Sequence, residues 1–436
     1  MREARLIAVG GALVVLAAAA GAQDSTRGVR IGLRYDPGSK PAVVLLPISG
    51  PLADSIRAIL ERDFDYSDRI TVIHVLPEDG SILAGSTSGR ASALNYPLFG
   101  KLGAAAVIQI TPTRSGLHVA VHDVAKAGVA SVRDYPLPRD EDSPEWRLAV
   151  HGVSDALQET LTGERGMAQS RIAFTRNKTV MVVDSDGHGE TALPVLGEAM
   201  SPSWHPGGNA IAYSIYGPSS RIIMLDLRTM KARDFGAQRN TTRITPVFTP
   251  DGKSLVYGLA GEDGSMDLFQ VPLEGEAFPR RITIGRGSRN WGPSFNPDGT
   301  RLAFGSDRLG HPEVHMMDSD GTNADIFTSF DFGDQNDRTS PDWAPDGRQI
   351  AFQSRIDGRY QIFTMSLRDR QPRQLTSEGE NEDPSWSPDG RHLVFVSTRT
   401  GTRQLWILDT ESGRLRQLTR AGGSQVPAWS PRLTGR

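Results

Sequence analysis

The sequence predicts a small α+β N-terminal domain followed by an all-β six-bladed propeller, closed by pairing of the C-terminal strand with the first blade. Three observations carry this. A motif of the form P-x-[WF]-x-P-D-G recurs at a period that suits one propeller blade. Apolar residues alternate within each repeat, as in half-buried strands. The last copy stops short, and its missing continuation lies at the start of the first repeat.

The motif reads PVFTPDG at 246–252, PSFNPDG at 293–299, PDWAPDG at 341–347 and PSWSPDG at 384–390. A looser PSWHPGG stands at 202–208 and a truncated PAWSPRL at 427–433. The leading prolines, Pro202, Pro246, Pro293, Pro341, Pro384 and Pro427, are 44, 47, 48, 43 and 43 residues apart. After each full motif comes an alternating run, such as TRLAFGS or RQIAFQS. A second run follows about ten residues later, and a short third, such as PRQLT, ends the unit. With the strand that carries the motif aromatic, that makes four strands per repeat, one blade. The aromatic side chains, Trp343 and Trp386 among them, suit the wedge between blades. Pro-Asp-Gly suits the hairpin that follows: proline presets φ, aspartate bonds local N–H groups and glycine accepts φ > 0.

PAWSPRL supplies an inner strand and nothing after it. The run it lacks is SRIAFTR at 170–176, followed by KTVMVVDSDG and ETALPV. The first blade therefore takes strands two to four from 171–195 and its inner strand from 427–430. Joining the chain ends in this way removes two open sheet edges.

Residues 29–165 lack the repeat. AVVLLPI (42–48), ITVIHVL (70–76) and AAAVIQI (104–110) read as strands, and LHVAVHDV (117–124) as a half-exposed one. Residues 51–64 carry Leu52, Ile56, Ile59 and Leu60 on one helical stripe. Ser143-Pro144 opens a second helix as N-cap and first-turn proline. Its stripe is Trp146, Val150, Val153, Leu157 and Leu161, and Gly163 ends it. The expected division is 1–22 leader, 23–165 α+β domain with an N-terminal tail, and 166–436 propeller.

The leader is expected from Arg2 and Arg5, the apolar run 6–20 and the A-x-A pattern at 20–22, with cleavage between Ala22 and Gln23. The run is too short for the roughly 20 residues that span a bilayer. Export and no direct membrane insertion follow as expectations. The net charge is −3, and −4 after cleavage, which offers no global attraction to nucleic acid. No cysteine is present, so disulfides, thiolate metal sites and cysteine nucleophiles are excluded.

The chemistry-bearing motifs are weak. GSTSG at 85–89 centres on Thr87, not on a serine elbow. His118 and His122 share a strand face and are read as exposed-strand histidines. DSDGHGE (184–190) and DSDGTNAD (318–325) resemble calcium loops, but glycine falls at position four rather than six; they are read as turns between the third and fourth strands. DFG at 331–333 stands without other kinase elements. No catalytic residue, cofactor or metal site is expected. An exported propeller enzyme or small-ligand-binding propeller is the alternative, and it would need convergent acids, histidines or a metal at the channel mouth.

Taken in order, VRIGLRYDPGSKPAVVLLPI, LTGERGMAQSRIAFT, the P-x-[WF]-x-P-D-G blades and the terminal VPAWSPRL resemble the TolB family of periplasmic propellers of the Tol-Pal system. The resemblance implies a non-enzymatic, monomeric adaptor. It would link Pal, a peptidoglycan-associated outer-membrane lipoprotein, with TolA, an energised inner-membrane protein. The system's role is outer-membrane integrity and invagination at division. The first mature residues, with Gln23, Asp24, Val29, Arg30 and Ile31, would form the TolA-binding tail. Pal would dock at one channel mouth, on loops that end at the motif prolines. The residues expected there are Arg243, Thr245, Arg289, Asn290, Trp291, Glu380 and Glu382. Asn290 and Glu382 match the family's residue types, whereas Trp291 replaces a smaller polar residue and is expected to be an aromatic anchor. Arg239, Arg243, Arg286 and Arg289 on two loops, against Asp331, Asp334, Asp337, Glu378, Glu380, Glu382 and Asp383 on the next two, predict a mouth of split sign.

Overall fold

The computed structural model describes residues 40–75, 94–217, 220–235, 241–275, 278–284, 287–328 and 336–433. The expected leader and the tail residues Ala22, Gln23, Asp24, Val29, Arg30 and Ile31 lie outside them, as do Thr87, Arg239, Arg286, Asp331 and Asp334.

The N-terminal domain is one five-stranded sheet with helices on both faces. Its strands are β1 (Ala42–Leu45), β2 (Thr71–Ile73), β3 (Ala106–Thr113), β4 (Gly116–Asp123) and β5 (Gly128–Pro136). The order is β2-β1-β3-β4-β5, with β1 parallel to both neighbours and the rest antiparallel. A strand flanked by parallel partners is covered on both faces, which explains the unbroken apolar run of β1. Helix α1 (Ala53–Tyr66) and helix α3 (Pro144–Thr162) cover one face, with Ile56, Leu60, Trp146, Val150 and Leu157 in its core. The Ser143 side chain caps α3 by accepting from the Trp146 N–H, and Gly163 ends the helix at φ +81°. The helix α2 (Tyr96–Lys101) covers the other face through Phe99.

Two elements were not foreseen, α2 and β5. They change the reading of His122. Its ring is buried, with Nδ1 2.8 Å from the Tyr96 hydroxyl that α2 supplies. His118 on the same strand is exposed and sits 2.7 Å from Asp134 of β5.

Six four-stranded sheets follow. Their inner strands are Gln425–Trp429 in blade 1, Glu198–Trp204 in blade 2 and Thr242–Phe248 in blade 3. Asn290–Phe295, Arg338–Trp343 and Asn381–Trp386 serve blades 4, 5 and 6. Blade 1 is completed by Arg171–Arg176, Thr179–Asp184 and Thr191–Ala192, so the C-terminal strand closes the ring as expected. Each inner strand packs beside those of its two neighbouring blades.

The motif aromatics do fill the wedges. Trp204 sits between blades 1 and 2, Trp343 between 4 and 5, Trp386 between 5 and 6, and Trp429 between 6 and 1. Phe248 and Phe295 occupy the other two. In blades 4, 5 and 6 the residue just before the aromatic adds a polar clasp to the next blade. Trp343 N–H donates to Ser294 Oγ (2.9 Å), Trp386 N–H to Asp342 Oδ2 (2.7 Å) and Trp429 N–H to Ser385 Oγ (3.1 Å). These bonds satisfy donors on an inner edge that no fifth strand can reach.

The Pro-Asp-Gly turns stack around the ring. A Cβ at Gly299 would meet Pro250 of the preceding blade at 3.4 Å, at Gly347 Pro297 at 3.6 Å, and at Gly390 Pro345 at 3.6 Å. All three glycines have φ between +70° and +75°. So the motif's glycine and proline act twice: they shape the hairpin, and they fit one hairpin against the next. These hairpins and the turns after each third strand lie on one face of the disk. The N-terminal domain sits on that face, against blades 1 and 6. Arg62 and Arg147 reach Asp186, while Arg414 and Arg416 reach Asp68. No helix among the described residues is long and apolar enough to cross a membrane.

Candidate partner-binding rim

The opposite face of the propeller carries the segments that lead into the inner strands, together with the turns between second and third strands. The expected contact residues fall here, but mostly not on loops. Arg243, Thr245, Asn290, Trp291 and Glu382 all lie within inner strands. A β-bulge explains why they read as loop. Register shifts fall at Ile244/Val247, Trp291/Ser294, Thr339/Asp342, Glu382/Ser385 and Gln425/Ala428. In each bulge the residue before the motif proline has left-handed backbone: Ser201, Thr245, Gly292, Ser340, Asp383 and Val426 have φ from 45° to 58°. An extra left-handed residue bends the strand and interrupts alternation, and the proline is tolerated because the strand is an edge.

The bulges turn several expected contact residues inward. Asn290 is fully buried; its amide donates to Met266 O (3.0 Å) and Asp267 Oδ1 (3.1 Å), and its Oδ1 accepts from Arg308 (2.8 Å). Asn381 does the same in blade 6, donating to Gln361 Oε1 (2.8 Å) and accepting from Arg399 (3.1 Å). Arg243 is buried too, with its guanidinium on Ser220 O (3.3 Å). Thr245 Oγ1 accepts from the Gly292 N–H (3.1 Å), linking blades 3 and 4. Trp291 is half-buried; its Nε1–H donates to Thr339 Oγ1 (2.9 Å) of blade 5, and its ring lies against Gly305. In this arrangement Asn290, Arg243 and Thr245 serve the blades, and Trp291 spans a blade boundary at the rim.

The remaining three expected residues bring charge to the rim, Arg289 exposed and Glu380 and Glu382 partly buried. The Arg289 side chain is 60% exposed and pairs with Asp307 (2.9 Å). Glu380 lies in the turn before blade 6, its N–H held by Thr398 Oγ1 (3.0 Å). Glu382 pairs with Arg403 (2.9 Å). Burial raises the Glu382 pKa above its ordinary value, opposed by Arg403 and aided by Asp383 and Glu380. Burial likewise raises Asp383, although Ser340, Arg403 and the Val426 N–H favour its charge. Deeper along the inner strands, burial raises Asp342 to about 6 despite bonds from Trp386 N–H and Ser294. Among the described residues Arg289, Arg403 and Arg355 are each paired locally, with Asp307, Glu382 and Asp337, while Arg239, Arg286, Asp331 and Asp334 of the expected split sign lie outside them.

The same rim exposes Ile284 (79%) and Leu309 (49%) on blades 3 and 4. Leu309 belongs to a second repeated element that could have been found in sequence. S-x-R-x-G stands at 306–310 and at 397–401. In both copies the arginine bonds its own serine, lies over the phenylalanine of the second strand and holds the buried asparagine.

Two groups of described residues could bring three ligand atoms to one point, His151/Asp184/Asp186 and Asp68/His392/Asp409. Neither is at the rim; both lie at the domain junction, and arginines already occupy their carboxylates.

The family model described as the TolB beta propeller domain matches residues 158–341 and 334–434, more than half of the chain. A protein TolB homolog of Chlorobium luteolum is 29% identical over 307 residues, covering 67% of each chain. The Tol-Pal system protein TolB of Bordetella pertussis is 30% identical over 189 residues, 41% of this chain and 42% of its own length. The crystal structure of TolB from Acinetobacter baumannii matches the fold with a TM-score of 0.74 at 24% identity, over 90% of this chain and 97% of that one.

Proposed function

The chain belongs to the TolB family, and from that premise we propose that it is a non-enzymatic periplasmic adaptor, exported by a cleaved leader. It joins a Pal-type, peptidoglycan-associated lipoprotein to a TolA-type protein of the inner membrane, for outer-membrane integrity and invagination during division. One observation supports this best. Among the described residues the N-terminal domain takes the hairpin face, and no second element covers the opposite rim, where Arg289, Ile284 and Leu309 are exposed and Glu380 partly so. Two partners can then be held at once without competing for one surface. The lipoprotein docks at the rim, and the N-terminal residues 23–33 engage TolA.

The test separates the two surfaces. The probes are the soluble domains of the Pal-type and TolA-type proteins from the same genome, titrated calorimetrically. Arg289→Glu together with Glu380→Lys is expected to weaken lipoprotein binding at least about tenfold, roughly 1.4 kcal/mol, and to leave TolA binding unchanged. Deleting residues 23–27 should do the reverse. Trp291→Ala is the less selective variant, since it removes the Thr339 bond as well as rim surface. Unchanged lipoprotein affinity in the double reversal would remove the rim assignment.

A further inference from the structure

The domain junction is built twice on one plan. On the blade 1 side, His151 of α3 is fully buried, with Nδ1 2.8 Å from Asp63 of α1 in its own domain. Its Nε2 makes no hydrogen bond, and the imidazole lies within 4.8 Å of the carboxylates of Asp184 and Asp186 across the boundary. On the blade 6 side the polarity is reversed. His392 of the propeller is fully buried, with Nδ1 2.9 Å from Asp389 of its own domain. Its Nε2, also without a hydrogen bond, lies 3.6 Å from Asp68 of the N-terminal domain. Each histidine thus holds Nδ1 at home; His392 turns Nε2 toward Asp68 of the opposite body, and the His151 ring lies within reach of Asp184 and Asp186 across the boundary.

The charged groups around them are arginines, one lysine and carboxylates, and among the carboxylates burial raises Asp63, and Asp155 to about 7. Facing His151 are Asp63 and Arg62 of α1, Arg147 and Asp155 of α3, and Asp184, Asp186 and Arg171 of blade 1. Facing His392 are Asp389, Arg391, Asp409, Glu411, Arg414 and Arg416 of blade 6, and Asp65, Asp68 and Lys40 of the N-terminal domain. Between α1, α3 and the blade 1 turn is a small space of about 10 Å³, lined by Asp63, Ser154, Asp155, Ser185 and Asp186. That is room for one water, so the junction is polar and not packed to completion.

We propose that His151 and His392 are proton-operated latches: doubly protonated imidazoles hold the N-terminal domain against blades 1 and 6, and loss of their protons in alkaline surroundings lets the domain move relative to the propeller. The arginines keep their charge throughout, and Asp155, raised by burial to about 7, has lost its proton before the alkaline range is reached, so in that range the two histidines carry the change in attraction across the boundary. Burial by itself would lower both imidazole pKa values. At His151 the charge and hydrogen bond of Asp63, with Asp186 and Asp184, reverse this and carry it to about 9. At His392, Asp389 and Asp68 raise it against Arg416. A histidine raised in the folded state contributes fully below its ordinary value near 6.5 and loses its contribution as pH rises through the folded value. The His151 latch is closed at neutral pH and opens toward pH 9, and the His392 latch opens above the ordinary histidine value. The inference is independent of the partner assignment above.

The absence of cysteine makes the test direct. Val132→Cys on β5 and Tyr216→Cys in blade 2, both exposed, carry spin labels, and the distance distribution is recorded from pH 6 to 10.5. A single narrow distance at pH 6–7 that broadens or shifts with a midpoint near pH 9 is expected. In His151→Gln/His392→Gln the broad distribution should already be present at pH 7, with no further change at high pH. A distance constant to pH 10.5, a pH response that survives in the double variant, or a response to chelator rather than pH would each overturn the proposal. Should the double variant not fold, ¹⁵N spectra of the unmodified protein decide: imidazoles with a single protonated nitrogen at pH 7 would refute it.

Discussion

His122 and His151 are both buried in the N-terminal domain, yet their surroundings drive them apart. His122 faces the neutral hydroxyl of Tyr96, and burial lowers its pKa. His151 faces carboxylates, which raise its own. The sign follows from what the imidazolium would meet: nothing charged in one case, Asp63 in the other. Folding therefore disfavours the proton on His122, so stability falls as pH drops below about 6.5, the unfolded value. At His151 folding favours the proton, and stability falls as pH rises toward 9. An NMR titration of the ring protons is expected to place His122 below 6.5 and His151 well above it. Equal midpoints would show that burial alone, not the partner, sets both. Neither value was legible in sequence. The spacing of HVAVH put both its histidines on one face, but Tyr96, which covers only one of them, comes from a helix with no apolar periodicity of its own to announce it.

At the scale of the element, the hairpin turns explain why the motif keeps glycine. Three glycines of positive φ separate the contributions. Gly264 has φ +79° and open space around a Cβ. Gly299 has a similar φ, +73°, but a Cβ would touch Pro250 at 3.4 Å. Gly321, in the turn after the third strand of blade 4, has φ +98°, and a Cβ would come within 2.2 Å of the Ile282 carbonyl. Left-handed backbone alone costs a non-glycine residue roughly 1–2 kcal/mol. Gly264→Ala should lose about that much, Gly299→Ala the same or slightly more, and Gly321→Ala distinctly more, since backbone must move. Urea denaturation of the three variants gives the order; Gly321→Ala as mild as Gly264→Ala would show that the blade 3–4 contact yields easily. The turn chemistry was readable from Pro-Asp-Gly. The stacking was not, because it depends on hairpins 40 to 50 residues apart meeting in space. The inner strands failed to read fully for a related reason. Their bulges and prolines imitate loop chemistry, which put Arg243, Asn290 and Glu382 outside the strands that hold them.

For the whole molecule, the repeat made the ring legible and left the junction hidden. Blade number and closure came from six motif copies and one missing continuation, both local in sequence. The junction depends on contacts such as Arg62–Asp186 and Asp68–His392, which follow no period. Closure is the feature on which the ring's integrity rests. The strand Gln425–Trp429 pairs with Arg171–Arg176, Trp429 fills the wedge between blades 6 and 1, and its Nε1–H donates to Ser170 Oγ (2.8 Å). Beyond it, Leu433 N–H bonds Gln169 O (2.9 Å), and Arg432 holds Gly166 O (2.9 Å). Trp429→Ala removes the wedge but keeps the ladder, and it should cost about 3–5 kcal/mol, the usual loss for a buried large aromatic. Ending the chain after residue 424 removes both. It leaves Arg171–Arg176 with an unpaired edge and blade 6 with a bare flank, and open edges of this kind recruit other chains. The expected outcome is that Trp429→Ala keeps the parent's elution volume with a lowered Tm, while the truncated protein loses its single cooperative transition in calorimetry and elutes as aggregate in size exclusion. A truncated monomer that melts in one transition at the parent temperature would mean that blades 2 to 6 hold their curvature without closure, and that the C-terminal strand is an accessory to the ring.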